Sequence, residues 1–263
     1  MDDAVLDDYA EWMRSWGASE RTIEARLTMA RSRIRAWGLG GFTAENVQAF
    51  LARPGLKNWT RSTYHAHLTD ICAWLAATGR LADNPMPDVR KPRRPKGKPR
   101  PLSELEVARV LSVAEGRVRD WILLALLAGL RASEIAKIRG EDVTADGIYV
   151  HGKGDKAEVL PCHEALWNIA QQYPRQGYWF PGNDDGHMRS QQVSLIVGRF
   201  FDALGIEGSI HRVRHVYGTR LMRAGVNIRT VQKLMRHSNL DTTANYTAVD
   251  EDELRAAINL LGA

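Results

Sequence analysis

Apolar residues along the first ninety positions recur three and four apart, the spacing of one helix face. Val5, Leu6, Tyr9, Trp12, Met13 and Trp16 form the first such stripe, and Gly17 stops it. Ser19 is placed to cap a second helix carrying Ile23, Leu27, Ala30, Ile34 and Trp37, closed by Gly38. Thr43 opens a short third through Val47, Phe50 and Leu51, ended by Pro54. A fourth begins near Trp59-Thr60 and carries Tyr64, Leu68, Ile71, Trp74 and Leu75 up to Gly79. These stripes read as core, and four amphipathic helices predict a small bundle over residues 1–89.

The pattern changes after residue 100. Leu102-Ser103-Glu104-Leu105-Glu106 has the form of a helix start, with Ser103 as cap and Glu106 as its reciprocal partner. Trp121 to Leu130 is apolar on every face, which predicts a buried helix too short to span a bilayer. Gly129-Leu130-Arg131 then turns into a helical Ser133–Ile138. The only clear strand signal is Gly147–Val150, a turn of six residues, and Ala157–Leu160, read as a hairpin. Helices follow at Gln191–Leu204, Ile210–Ala224 and Ile228–His237, then from about Thr242, with an amphipathic Glu253–Leu261 at the end. The expected fold is therefore mainly α with a small β-sheet: a four-helix bundle, and a second, α/β domain over residues 101–263.

Charge sharpens the division. The formal net charge of +5 comes from one place: residues 90–100 hold seven Lys or Arg and no acid, while each flank is close to neutral. Pro92, Pro95 and Pro99 keep that segment extended, so it reads as an interdomain linker suited to lie along a polyanion. A second basic island runs from Ser209 to Leu240, again without Asp or Glu. Cys72 and Cys162 are far apart and lack a CxxC partner, which fits a reducing cytoplasm better than a disulfide framework. The acidic start MDDAVLDDYAEW has no apolar stretch of a signal peptide, so a cytoplasmic, nucleoid-associated protein with no membrane partner is expected.

Six residues stand out chemically: Arg131, Lys153, His211, Arg214, His237 and Tyr246. Arginine forks neutralise a phosphoryl group bidentately, and a tyrosine hydroxyl can act as a covalent nucleophile. His211 and Arg214, three apart behind the cap Ser209, share a helix face, and a helix ending at His237 favours a protonated imidazole there. Each residue alone has a plainer reading: a satisfied surface histidine, a packed tyrosine, a solvated lysine in the Gly152–Gly154 turn. His211 and His215 also have the four-residue spacing of a zinc helix. No Glu flanks the first histidine and a cation lies between them, so no metal and no cofactor is expected.

Taken together, Gly129-Leu130-Arg131-Ala132-Ser133-Glu134-Ile135, Gly152-Lys153-Gly154, His211-Arg212-Val213-Arg214-His215 and the run from His237-Ser238 to Tyr246 resemble the tyrosine recombinase (phage integrase, Xer-like) family in order and approximate interval. The resemblance covers nearly the whole chain. It implies that residues 1–89 bind the core site of duplex DNA and that the second domain is catalytic. It further implies that Tyr246 attacks the scissile phosphate to give a 3′-phosphotyrosyl link, without metal or ATP. Arg131 and Arg214 would clamp the non-bridging oxygens, His237 would bond the phosphate, His211 would assist proton movement, and Lys153 would protonate the leaving 5′-oxygen. Glu134 would orient Arg131, and His215 would be structural. A homotetramer on two synapsed sites is implied, with the 254–261 helix docking into a neighbouring subunit and accessory DNA-bending or directionality factors as further partners.

Softer DNA-contact candidates are Lys57, Thr60, Arg61 and Tyr64 at the fourth helix, Arg93, Arg94 and Lys96 in the linker, and Lys156, Arg189, Ser190 and Gln191. Two positions depart from the family pattern. Val213 replaces a usual Leu, and Arg236 stands where most relatives have Gly; a large side chain there either crowds His237 or adds a phosphate contact. Two other functions remain open from sequence: a type IB topoisomerase, which shares this chemistry, and a catalytically silent DNA-binding regulator.

Overall fold

A computed structural model describes residues 2–93, 100–151, 157–236 and 258–259. It divides into two compact units, Met1–Gly97 and Lys98–Ala263. The first is helical: α1 (Asp2–Ser15), α2 (Glu20–Trp37), α3 (Ala44–Ala52) and α4 (Asn58–Ala77). Ser19 Oγ accepts from Thr22 N at 3.3 Å and Thr43 Oγ1 from Asn46 N at 3.3 Å, so both capping residues serve orphan donors of the first turn. Tyr9, Met13, Ile23, Ile34, Val47, Leu68, Ile71 and Leu75 close the core between the helices. Tyr9 Oη reaches out of it to donate to Asp70 at 2.7 Å, and Asp70 also pairs with Arg26 at 2.8 Å.

The second unit is built round α6 (Gly116–Leu127), whose residues from Trp121 to Leu127 are all buried. Before it lies α5 (Glu104–Val113), where Ser103 N donates to Glu106 Oε2 at 2.7 Å and Glu106 N to Ser103 Oγ at 3.2 Å, the reciprocal cap expected from the sequence. After it come α7 (Ala132–Lys137), the antiparallel pair β1 (Gly147–His151) and β2 (Ala157–Pro161), then α8 (Glu164–Ala170) and a short strand β3 (Pro181–Asp184). The register pairs Gly147 with Pro161 and His151 with Ala157. Helices α9 (Ser190–Ala203), α10 (Ile210–Arg223) and α11 (Ile228–Leu234) follow. The architecture is mainly α with a small sheet.

Beyond shifts of one residue at the ends of α7, α9, α10, β1 and β2, the structure differs from the sequence reading at α6, α8, β3 and α11. Helix α6 starts at Gly116, ahead of the apolar run, and ends at Leu127, because Gly129 takes a left-handed φ of 60°. The seven-residue α8 and the four-residue β3 have no periodic signature long enough to register. Helix α11 stops at Leu234 rather than His237, and Arg236 adopts φ 48° just beyond it. For a non-glycine residue that conformation costs about 1–2 kcal/mol. The predicted helix from Thr242 lies outside the described residues. In the final stretch Ile258 is described, 2% exposed and packed in the core of this second unit. Among the described residues no helix is long and apolar enough to cross a membrane.

Candidate active site

The site is assembled where α7 begins, α10 passes and α11 ends. The left-handed turn at Gly129 releases the chain from α6 and delivers Arg131 to the cap position of α7. Glu134, one turn in, accepts from Arg131 N at 2.7 Å through Oε2 and from Arg131 Nη1 at 2.7 Å through Oε1. One carboxylate thus fixes both the backbone and the guanidinium of the same arginine. Arg131 keeps 39% of its side chain exposed, so its outer edge is available to a ligand.

Arg214 comes to the same carboxylate from α10. The helix is capped by Ser209, whose Oγ accepts from Arg212 N at 3.3 Å, and it buries Ile210, Val213, Val216, Tyr217 and Leu221. Arg214 is drawn in with them and is 2% exposed. Its Nη1 donates to Gly129 O and its Nη2 to Met235 O, with Glu134 Oε2 at 3.7 Å. Burial, then repulsion from Arg131 and Arg236, lowers its pKa to about 9, while Glu134 acts in the opposite sense. The guanidinium therefore still carries its charge at neutral pH. His211 on the same helix is exposed, its ring edge-on to His215 at 4.5 Å between centroids. Desolvation, Arg214 and Arg131 all push its pKa below the ordinary imidazole value, which leaves it neutral and able to accept a proton.

Arg236 joins the cluster; its sequence-expected effect on His237 involves a residue outside the described ones, and what the structure displays is an inward contact with Glu134. Its side chain is 5% exposed and turns inward, with Nη2 donating to Glu134 Oε2 at 2.6 Å and to Gly129 O at 3.1 Å. Its own carbonyl accepts from Arg131 Nη2 at 2.5 Å. Glu134 accordingly faces three guanidiniums. Burial opposes its ionisation, but Arg236 and the hydrogen bonds from Arg131 outweigh burial and hold its carboxyl below the usual range.

Of the six chemical candidates the structure brings Arg131, His211 and Arg214 to this place. Lys153, His237 and Tyr246 lie outside the described residues, as do Arg94, Lys96 and Lys156. Of the softer candidates, Lys57, Arg93, Arg189 and Gln191 are exposed, and Ser190 and Thr60 are half-buried. Arg61 is committed to its own unit, donating to Leu51 O at 2.7 Å and Asn58 Oδ1 at 2.8 Å, and Tyr64 packs against Phe50. The carbonyls of Gly129 and Met235 were beyond sequence reasoning, since no side-chain type marks a backbone acceptor.

The model of the phage integrase family matches residues 101–253, from just before α5 to beyond the basic island. The chain belongs to the phage integrase family. A tyrosine recombinase XerA from Thermococcus kodakarensis is 30% identical over 269 residues, covering 96% of this chain and 93% of that protein. A solved integrase from mycobacterium phage Brujita is 38% identical, covers 98% of this chain and 92% of its own, and superposes with a TM-score of 0.58. A lambda integrase tetramer bound to a Holliday junction shares the fold at 18% identity, with a TM-score of 0.70, over 94% of this chain and 80% of its own. For this family member, then, the Arg131–Glu134–Arg214 cluster lies within the matched region.

Proposed function

We propose that this phage integrase family member is a site-specific recombinase that cleaves and rejoins duplex DNA through a 3′-phosphotyrosyl intermediate on Tyr246. The observation that carries the reading is the convergence of Arg131 and Arg214 on one buried carboxylate, Glu134, in the region matched by the family. Such paired guanidiniums suit the charge that builds on non-bridging oxygens in a pentacoordinate phosphate. In the step, Tyr246 Oη forms a bond to phosphorus as the bond to the 5′-oxygen breaks. The phenolic proton passes toward neutral His211, and Lys153 supplies the proton that the 5′-oxygen takes up. The phenol has a reference pKa of about 10, so this assistance is needed near neutral pH. His237 bonds the phosphate. Because the phosphodiester is stored as a phosphotyrosine, attack by a new 5′-hydroxyl reverses the step without ATP, and the arginines stand where a metal would otherwise be needed.

The helical unit is assigned to core-site DNA, the segment 90–100 to the connector along the backbone, and the second unit to catalysis. Lys57, Thr60, Arg93, Arg94, Lys96, Lys156, Arg189, Ser190 and Gln191 are the proposed phosphate or base contacts. The lambda integrase assembly on its junction supports a tetramer as the working form here. Exchange of the C-terminal segment between subunits would draw Ile258 out of the core it occupies in its own chain. The deciding experiment is Tyr246→Phe on nicked suicide duplexes. The variant should bind DNA as the parent does and form no covalent adduct; persistent adducts overturn the assignment. Relaxation of supercoiled plasmid by monomer, without strand exchange, would instead favour a topoisomerase.

A further inference from the structure

We infer that Arg236 is a positioning residue for Arg131, gripping the Arg131–Glu134 pair through its main chain and its side chain together. The inference rests on the recombinase reading above for its consequence, and on geometry for its substance. The Arg236 carbonyl accepts from Arg131 Nη2 at 2.5 Å, while its Nη2 donates to the Glu134 oxygen that also accepts from Arg131 N. A second donation, to Gly129 O at 3.1 Å, ties the same guanidinium to the turn that delivers Arg131. Nη1 donates back to Leu234 O at 3.1 Å, so the fork is braced against the end of its own helix.

Two features separate this from a surface arginine that has settled on the nearest acid. The backbone is left-handed at φ 48°, which an L residue adopts rarely, and the side chain is almost wholly buried. Arg236 also lies closer to Glu134 Oε2 than Arg214 does, 2.6 against 3.7 Å. Arg214 itself donates to two carbonyls, those of Gly129 and Met235. Among the described residues, the charged groups facing Glu134 are Arg131 at the start of α7, Arg214 from α10 and Arg236 after α11, with Tyr217 beside Arg214 and Arg236 and His211 near Arg131 and Arg214. Arg236 is thus the cation whose loss should most relax the carboxylate.

Arg236→Gly tests this, because glycine accepts φ 48° and keeps the carbonyl while removing the fork. Two readouts apply. On DNA-free protein, the Glu134 carboxyl is titrated by ¹³C NMR; it should titrate at higher pH in Arg236→Gly and close to the parent in Arg236→Lys, which restores the charge. On randomly nicked, sheared genomic duplex, single-turnover adduct formation should fall roughly tenfold or more at saturating DNA with unchanged half-saturation. Its acid limb should move to higher pH, and the added loss should shrink in a Glu134→Gln background. An unmoved Glu134 titration, or an equal loss in the Glu134→Gln background, overturns the inference. If the parent protein forms no adduct, the recombinase reading fails, and the Glu134 titration alone decides the positioning claim.

Discussion

A Cβ placed on Gly129 would lie 2.6 Å from Cδ1 of Tyr217, inside the closest approach that carbon atoms tolerate. Gly129 also holds φ 60°, so a side chain there is penalised by backbone and by packing at once. The Tyr217 ring is fully buried on α10 and cannot swing aside. Gly129→Ala should therefore destabilise the protein by about 3 kcal/mol, read as a drop in the urea midpoint with an unchanged slope. The same change should displace the Gly129 carbonyl from Arg214 and Arg236, so DNA cleavage should fall by more than the unfolded fraction explains. A variant as stable and as active as the parent would contradict this account of the turn.

Among the described residues the hydroxyl of Tyr217 has no hydrogen-bond partner, although it is buried among Arg214 and Arg236. An unsatisfied buried hydroxyl costs about 1–3 kcal/mol, and the ring supplies the packing without it. Tyr217→Phe should accordingly hold stability constant or raise it by about 1 kcal/mol, measured by thermal or urea unfolding. Destabilisation of that size would point instead to an interaction of the phenol with the guanidiniums.

The caps Ser19, Thr43 and Ser103 were legible because the physics is local: an oxygen accepts from an N–H three residues ahead. The face of α10 was legible only in part. Spacing put His211 and Arg214 together, but it could not tell that Arg214 turns inward, since its acceptors Gly129 and Met235 are 85 and 21 residues away. Arg236 is the sharper case. Seen in sequence it was an obstacle or a phosphate contact. In the fold it answers a carboxylate 102 residues distant, a pairing that only the meeting of α7 and α11 reveals. The strand β3 was missed because its pairing consists of isolated bridges, such as Pro181 with His187, rather than an alternating ladder.

Both cysteines are free, and burial raises Cys72 to about 12 and Cys162 to about 11. Since the thiolate is the reactive form, neither should react measurably with iodoacetamide at pH 8 in the folded protein, and both should react in urea. Mass spectrometry of the alkylated protein reads the outcome directly. Rapid native labelling of Cys72 would mean that the core of the amino-terminal unit opens on the labelling timescale.

Glu134 should also govern acid stability. Its folded-state pKa lies below the unfolded value, because Arg236 and Arg131 outweigh the burial that opposes ionisation. The ionised carboxylate is then worth more to the folded state than to the unfolded chain. That stability is present above the unfolded pKa of about 4.3 and is lost as pH falls through the lower folded value. Glu134→Gln removes the charge but keeps the shape, and leaves three guanidiniums without their counter-charge. Breaking a buried pair in this way costs about 3–5 kcal/mol, and partial exposure of Arg131 places the expected loss at pH 7 toward the lower end. Urea unfolding of parent and variant at pH 7 and again near pH 3 measures both quantities. The gap between them should be smaller at the acid end than at pH 7; a gap of equal size at both would show that Glu134 acts by shape rather than by charge.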